Sequence, residues 1–221
     1  MKIGLVGFAG SGKTTVFNTM TGLDVPVGFG GGVRLGTVRV PDERIDRLSA
    51  IFHPKKTTYA EMTFCDVPGE HGAERAGLSS RMLSTIREQE ALALVLRDFS
   101  DPVAEGDPDP PRDLGAFADE CALADLALVE GILTRARKDN LAPADRERLE
   151  LMRSVLEDGR PLRSLSSTEL DRDALTSYQL LTDRPLLVVL NRDEGRAADP
   201  LPDDLARRID ELGASGLALS A

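Results

Sequence analysis

Eight residues near the start, Gly7-Phe8-Ala9-Gly10-Ser11-Gly12-Lys13-Thr14, constrain this chain more than any other segment. They match G-x-x-x-x-G-K-[ST], and an apolar run before them, Ile3 to Val6, reads as a short buried strand. Thr14 to Thr21 reads as the helix that follows. Strand, loop and helix in that order require a turn whose backbone N–H groups point inward. Glycine permits that path and lets a phosphate oxygen approach the main chain. The helix aims the positive end of its dipole at the same point. Gly7 to Thr14, Ala9 included, therefore read as a phosphate grip. Lys13 would offset the charge on β- and γ-phosphates, and the Thr14 hydroxyl suits Mg²⁺.

Two further motifs follow strands. Phe64-Cys65-Asp66-Val67-Pro68-Gly69 ends an apolar strand in D-x-x-G. Asp66 at that place can hold Mg²⁺ through water, and the Gly69 N–H can contact a γ-phosphate. Asn191-Arg192-Asp193-Glu194 follows another apolar run. G-proteins carry N-K-x-D there, the final acid pairing with guanine. Glu194 is longer, which leaves ATP and GTP both open. Ser220-Ala221 stands where those proteins place an S-A-K base-binding loop. Glu70 and His71, just past Gly69, are candidates for positioning the attacking water or simply exposed loop residues. His53, before Pro54, reads as a surface or capping residue.

The rest of the chain supplies a scaffold. Apolar runs alternating with helical patterns predict an α/β fold, a mostly parallel sheet flanked by helices. Strands are expected at Arg34 to Val40, Thr58 to Cys65, Ala91 to Leu96, Pro185 to Leu190 and Leu217 to Leu219. Helices are expected at Pro41 to Phe52, with Ile45, Leu48 and Phe52 on one face, and at Ala73 to Arg87. A breaker-rich linker, Asp101 to Arg112, opens a long insertion. Beyond it, Ala122, Leu126, Val129, Leu133 and Ala136 share one spacing, and Leu149, Met152 and Leu156 continue it after a turn near Asn140. That predicts an inserted α-helical hairpin with one apolar seam. The expected division is a nucleotide domain, 1–98 and 185–221, interrupted by a helical insertion, 99–184.

Charge and composition narrow the partners. The net charge of −10 argues against DNA or any general nucleic-acid partner held by charge. One stretch, Arg34 to Lys56, carries six Lys/Arg against three acids. It is either an RNA-contact face or a solvated surface. No run reaches the ~20 apolar residues of a membrane span, and the N-terminus does not read as a signal peptide. Cys65 and Cys121 form no metal pattern and read as free buried thiols of a cytoplasmic protein.

These motifs in this order resemble the YchF subfamily of Obg-like P-loop NTPases. Val38-Arg39-Val40-Pro41-Asp42-Glu43-Arg44-Ile45-Asp46 resembles its strand–PDxRLD segment. Ser84 to Glu88 resembles its IRE element, and Ala122-Leu123-Ala124-Asp125-Leu126 the start of its inserted helix. Arg163-Ser164-Leu165 and Leu180-Leu181-Thr182 resemble later parts of the insertion. The resemblance implies a Ras-like G domain with a helical insertion, slow hydrolysis of ATP or GTP, and association with the ribosome's large subunit. It implies phosphate contacts from Gly10, Ser11, Gly12, Lys13, Thr14 and Thr15, and a base site at Asn191 and Glu194. Several features depart from it, among them a P-loop that reads Gly10-Ser11-Gly12-Lys13-Thr14 in place of N-V-G-K-S and a shorter switch after Gly69. The first switch of the subfamily carries a threonine for Mg²⁺, whereas Pro26 to Gly32 contains no hydroxyl. Val103 stands at the place of a subfamily histidine. Members continue into a C-terminal TGS domain, which is not expected within a sequence ending at Ala221.

Three functions stay open on these residues. One is a switch that hydrolyses the γ-phosphate, Lys13 and Mg²⁺ offsetting the developing charge. Another is a module that binds nucleotide without turnover. The third is a small-molecule kinase, against which D-x-P-G and N-x-x-E both stand.

Overall fold

The computed structural model describes residues 1–27, 32–67, 78–101, 106–136, 141–172 and 177–221. Its frame is a six-stranded sheet. In chain order the elements are β1 (Lys2–Val6), α1 (Lys13–Thr21), β2 (Arg34–Arg39), α2 (Glu43–Phe52), β3 (Glu61–Asp66), α3 (Ser80–Arg87) and β4 (Ala91–Asp98). Then follow α4 (Pro110–Ala136), α5 (Pro143–Glu157), β5 (Leu186–Arg192), α6 (Asp203–Glu211) and β6 (Ser215–Leu219). The sheet order is β2-β3-β1-β4-β5-β6, and only the β2–β3 pair is antiparallel. This is the mostly parallel α/β arrangement that the alternating apolar runs predict.

Period-2 alternation splits those runs between two cores. Leu5, Phe64, Ala93, Val95 and Val189 face α1, where Val16 and Phe17 close the layer. Val6, Leu92, Leu94, Leu96, Val188 and Leu190 face the opposite side, under Met82 and Ile86 of α3 and Leu205 and Ile209 of α6. The first half of α4 joins this second core through Leu114, Phe117 and Cys121. At 27 residues, α4 is about 40 Å long at 1.5 Å per residue, longer than any strand of the sheet. Its second half extends to α5 and makes a separate aliphatic cluster: Val129, Leu133, Leu149, Met152 and Leu156 are all buried there. The predicted seam is thus present, with Leu126 at its edge. The turn near Asn140 and the side chain of Ala136 lie outside the described residues.

Four local readings are corrected. Pro110 and Pro111 lie in the first turn of α4 rather than in a linker, because proline's missing N–H and fixed φ suit that position. Asp109 assists by accepting from the Arg112 N–H at 3.1 Å. Helix α2 starts behind Asp42, whose carboxylate accepts from the Arg44 N–H at 2.9 Å, not at Pro41. Its apolar face is open: Leu48, Ile51 and Phe52 are exposed, Phe52 by 74%. Helix α6 has no counterpart in the sequence expectations. Both cysteines are buried and free, and burial pushes the Cys121 thiol up to about 12. Among the described residues no helix is long and apolar enough to cross a membrane.

Candidate functional site

Strand β1 ends between β3 and β4, so the chain leaves it where the strand order runs outward in both directions. In open α/β sheets this is the crevice that receives ligands. The loop that fills it turns through Gly7, Gly10 and Gly12, at φ 143, 76 and 86. Two of these glycines are required by space as well as by φ. A Cβ on Gly7 would lie 2.4 Å from the Val95 carbonyl oxygen, and one on Gly12 would lie 2.2 Å from Asn191 Nδ2. The Ser11 N–H closes the loop on the Phe8 carbonyl at 3.3 Å. Ser11 is buried, and its Oγ has no hydrogen-bond partner among the described residues.

Lys13 opens α1 and is buried, 7% exposed. Its ammonium donates to the Phe8 carbonyl at 2.9 Å. Burial pushes its pKa down to about 8, while the Asp66 carboxylate pulls it back up. A buried cation with one hydrogen-bond acceptor among the described residues, a neutral carbonyl, is short of counter-charge, and a polyphosphate would supply it. Beside it, Thr14 Oγ1 donates to Asp66 Oδ2 at 3.0 Å. Asp66 Oδ1 is buried without a hydrogen-bond partner among the described residues. A hydroxyl, a carboxylate and an unmet carboxylate oxygen form a hard donor set that fits Mg²⁺, which takes oxygen ligands and keeps several waters. Arg34, at the start of β2, places Nη1 3.6 Å from the same Asp66 Oδ2.

At the other end of the loop, Asn191 is buried at the close of β5. Its Nδ2 donates to the Ser11 carbonyl at 3.2 Å and its Oδ1 accepts from the Ala221 N–H at 3.2 Å. One amide, 180 residues from Ser11 in sequence, therefore ties the phosphate loop to the Ser220-Ala221 segment. Glu194 is exposed on a short 3-10 turn, Glu194–Arg196. Arg192 turns away, giving its Nε to Asp98 Oδ2 at 3.0 Å and Nη1 to the Asp199 carbonyl at 2.9 Å. The Phe99 ring reaches the vicinity of Gly12, 3.8 Å from where a Cβ would stand.

The structure thus brings Gly7, Ala9, Gly10, Ser11, Gly12, Lys13, Thr14, Thr15 and Asp66 to one edge of the sheet, with Asn191 and Ala221 adjoining. Gly69, Glu70, His71 and Val103 lie outside the described residues, as do most of the Gly-rich first-switch stretch and residues 73–77 of the expected helix. No motif in the sequence assigns Arg34 to Asp66, the Phe8 carbonyl to Lys13, or Phe99 to the loop. The only advance signal for Arg34 was its place in a basic stretch, which says nothing of register.

A family model described as 50S ribosome-binding GTPase matches residues 2–120. A Bacillus subtilis (strain 168) protein, the ribosome-binding ATPase YchF, is 33% identical over 225 residues, spanning 96% of this chain and 62% of that protein. The chain belongs to the YchF/Obg-like family of P-loop GTPases. Obg-like ATPase 1 of Oryza sativa subsp. indica is 31% identical over 211 residues, covering 88% of this chain and 53% of its own length. The solved structure of the Schizosaccharomyces pombe YchF GTPase superposes with a TM-score of 0.81 at 28% identity, over 100% of this chain and 65% of that one. This chain therefore spans between 53% and 62% of the length of the two sequence relatives.

In this YchF-type chain, several segments that carry the sequence resemblance meet away from the phosphate loop. Arg87 Nη1 lies 2.8 Å from Asp125 Oδ1, and its other bonds go to the Gln179 and Ala124 carbonyls. Asp125 Oδ2 accepts from both the N–H and the hydroxyl of Thr182 at 2.8 Å. Arg163 Nε donates to the Arg184 carbonyl at 2.7 Å and Nη2 to the Leu181 carbonyl at 3.0 Å. These residues form one buried clamp between α3, α4 and the segment before β5. The bonds link α3 and α4 to the segment before β5, and a fully buried charge such as Asp125 is tolerated only when so paired.

Proposed function

We propose that this domain binds a purine nucleoside triphosphate with Mg²⁺ and hydrolyses its γ-phosphate slowly, as a cytoplasmic switch associated with the ribosome. The observation that carries this reading is the buried Lys13 ammonium, held by a single carbonyl at the mouth of a loop whose glycines admit no side chain. The family's ribosome-binding names support the partner, and its ATPase names the reaction.

In this reading the loop amides from Gly7 to Thr15 grip the phosphates, and Lys13 bridges the β and γ groups. Mg²⁺, on Thr14 and through water on Asp66, would neutralise charge on the phosphoryl oxygens when bound. Gly69, Glu70 and His71 are assigned to the γ-phosphate side, with Glu70 or His71 orienting the water. Asn191 spends its amide on Ser11 and Ala221, so it shapes the base pocket rather than reading the base. Glu194, Ser220 and Ala221 form the rim of that pocket. Residues 99–184 act as the inserted unit, with α4 shared between both cores.

Titration with ATP and GTP side by side, with and without Mg²⁺, followed by single-turnover phosphate release, tests this. The expected result is micromolar or tighter binding, weak discrimination between the bases and slow release of phosphate. Absence of triphosphate binding overturns the reading. Tight binding with no phosphate release selects a module without turnover, which the hydroxyl-free stretch from Pro26 to Gly32 also favours.

A further inference from the structure

Strands β2 and β3 run antiparallel with Arg34 directly opposite Asp66. Opposed residues on an antiparallel pair point to the same face. That face is the one under α1: two residues along from Arg34, a Cβ on Gly36 would meet Phe17 and Thr21 of α1. Arg34 is thereby directed at the end of β3 where Thr14 already bonds Asp66. Its Nη1 stands 3.6 Å from Asp66 Oδ2, the oxygen that accepts from Thr14 at 3.0 Å. The two partners differ in freedom. The Asp66 side chain is 4% exposed, while that of Arg34 is 26% exposed at the start of the edge strand. The arginine is the partner with access to solvent; the carboxylate is enclosed.

We infer that Arg34 is a resident counter-cation for Asp66 that competes with the Mg²⁺ carried by the nucleotide, and so lowers the metal dependence of nucleotide binding. This rests on the triphosphate reading given above. Without metal, the guanidinium neutralises Asp66 and leaves Lys13 as net positive charge for the phosphates. With metal, a dication and a guanidinium contend for one carboxylate, and like charges a few ångströms apart repel. The arginine therefore supports metal-free binding and opposes metal entry, two effects of opposite sign at one residue.

The test is a titration of a fluorescent ATP analogue in EDTA and in excess Mg²⁺, giving the ratio of the metal-free to the metal-bound Kd. In Arg34→Gln the metal-free Kd is expected to weaken by roughly tenfold while the Mg²⁺ Kd stays level or tightens, so the ratio rises by roughly tenfold or more. Arg34→Lys keeps the charge and is expected to keep a ratio near that of the parent chain. Arg34→Met, which retains the apolar stem, replaces Arg34→Gln if the latter does not fold. A ratio unchanged in Arg34→Gln, or equal weakening with and without metal, overturns the inference and leaves nucleotide binding intact. If the parent chain binds the analogue in neither condition, the triphosphate reading falls, and this inference with it.

Discussion

The phosphate end of the sheet and the α4–α5 pair are built on opposite terms. Around α4 and α5 the interior is aliphatic, with Val129, Leu149, Met152 and Leu162 each fully buried, and the charged residue beside it, Asp125, has an arginine and a threonine for partners. At the loop after β1 the interior holds, among the described residues, an ammonium with one carbonyl partner, a hydroxyl with none, a carboxylate oxygen with none and three glycines at positive φ. Unpaired buried polar groups each cost about 1–3 kcal/mol. Around the helical pair the buried Asp125 Oδ1 and Arg153 Nε lack hydrogen bonds among the described residues but face an opposite charge, Arg87 and Glu157; the unmet groups of the phosphate loop converge on one point beside an ammonium, which marks it as the place where a ligand completes the structure.

Lys13 gives the largest break in that comparison. Lys13→Met removes one partner of a desolvated charge pair, and triphosphate affinity is expected to fall by about 4 kcal/mol, roughly a thousandfold. Thermal stability without nucleotide is expected to rise, because the folded chain no longer buries an ammonium. The pH dependence separates the two effects. Burial holds the Lys13 pKa in the folded chain at about 8, against an ordinary value of 10.5. Between those values the unfolded chain binds more protons, so nucleotide-free stability rises with pH through that window and the full cost stands below it. Affinity moves the other way: level below pH 8, then falling by about tenfold per pH unit as the ammonium is lost. Melting curves of the parent chain minus those of Lys13→Met, from pH 7 to 10, isolate the stability arm. A flat difference would show that the ammonium is not strained.

The helical pair predicts the converse. Met152 is fully buried among Leu149, Leu156 and Val129. Met152→Ala leaves a cavity and is expected to cost about 3 kcal/mol, a fall in Tm of about 10 °C for a chain of this size. Nucleotide affinity is expected to stay within about twofold, since α5 supplies no group to the loop. A parallel loss of affinity would show that the aliphatic core and the phosphate loop are coupled through the Arg87–Asp125 clamp, and the comparison would no longer separate two regions.

How far each region can be read from sequence follows the same division. The loop is local: eight consecutive residues and their flanking strand and helix suffice. The central strands are also local, because β1, β4 and β5 are continuous apolar runs. The hairpin seam is periodic over long helices and survives the misreading of Pro110 and Pro111. What escapes are features set by residues far apart in sequence. Arg34 meets Asp66 only because β2 pairs antiparallel in one register. Asn191 joins Ser11 to Ala221 across the chain, so its side chain is spent on the scaffold, which a motif match cannot show. Helix α6 escapes for another reason: it buries only Leu205 and Ile209, one i, i+4 pair in nine residues. Its start signal, Pro202 before Asp203 and Asp204, is plain once sought. Helix α2 shows the reverse error, since an apolar period states that a face exists and not that anything covers it.

Ser11 offers the smallest and sharpest test. Its Oγ is buried and has no partner among the described residues, yet alanine keeps the Cβ, and the loop's own bond uses the backbone N–H to Phe8 rather than the hydroxyl. Ser11→Ala therefore removes an unmet polar group without opening the loop. Nucleotide-free stability is expected to rise by about 1 kcal/mol, and triphosphate affinity to fall by about fivefold through loss of one hydrogen bond to a charged oxygen. Opposite signs in the two measurements require that the hydroxyl be idle in the empty chain and engaged in the loaded one. If Tm falls instead, Ser11 Oγ has a partner before nucleotide arrives, and the phosphate end would be no less satisfied than the helical pair.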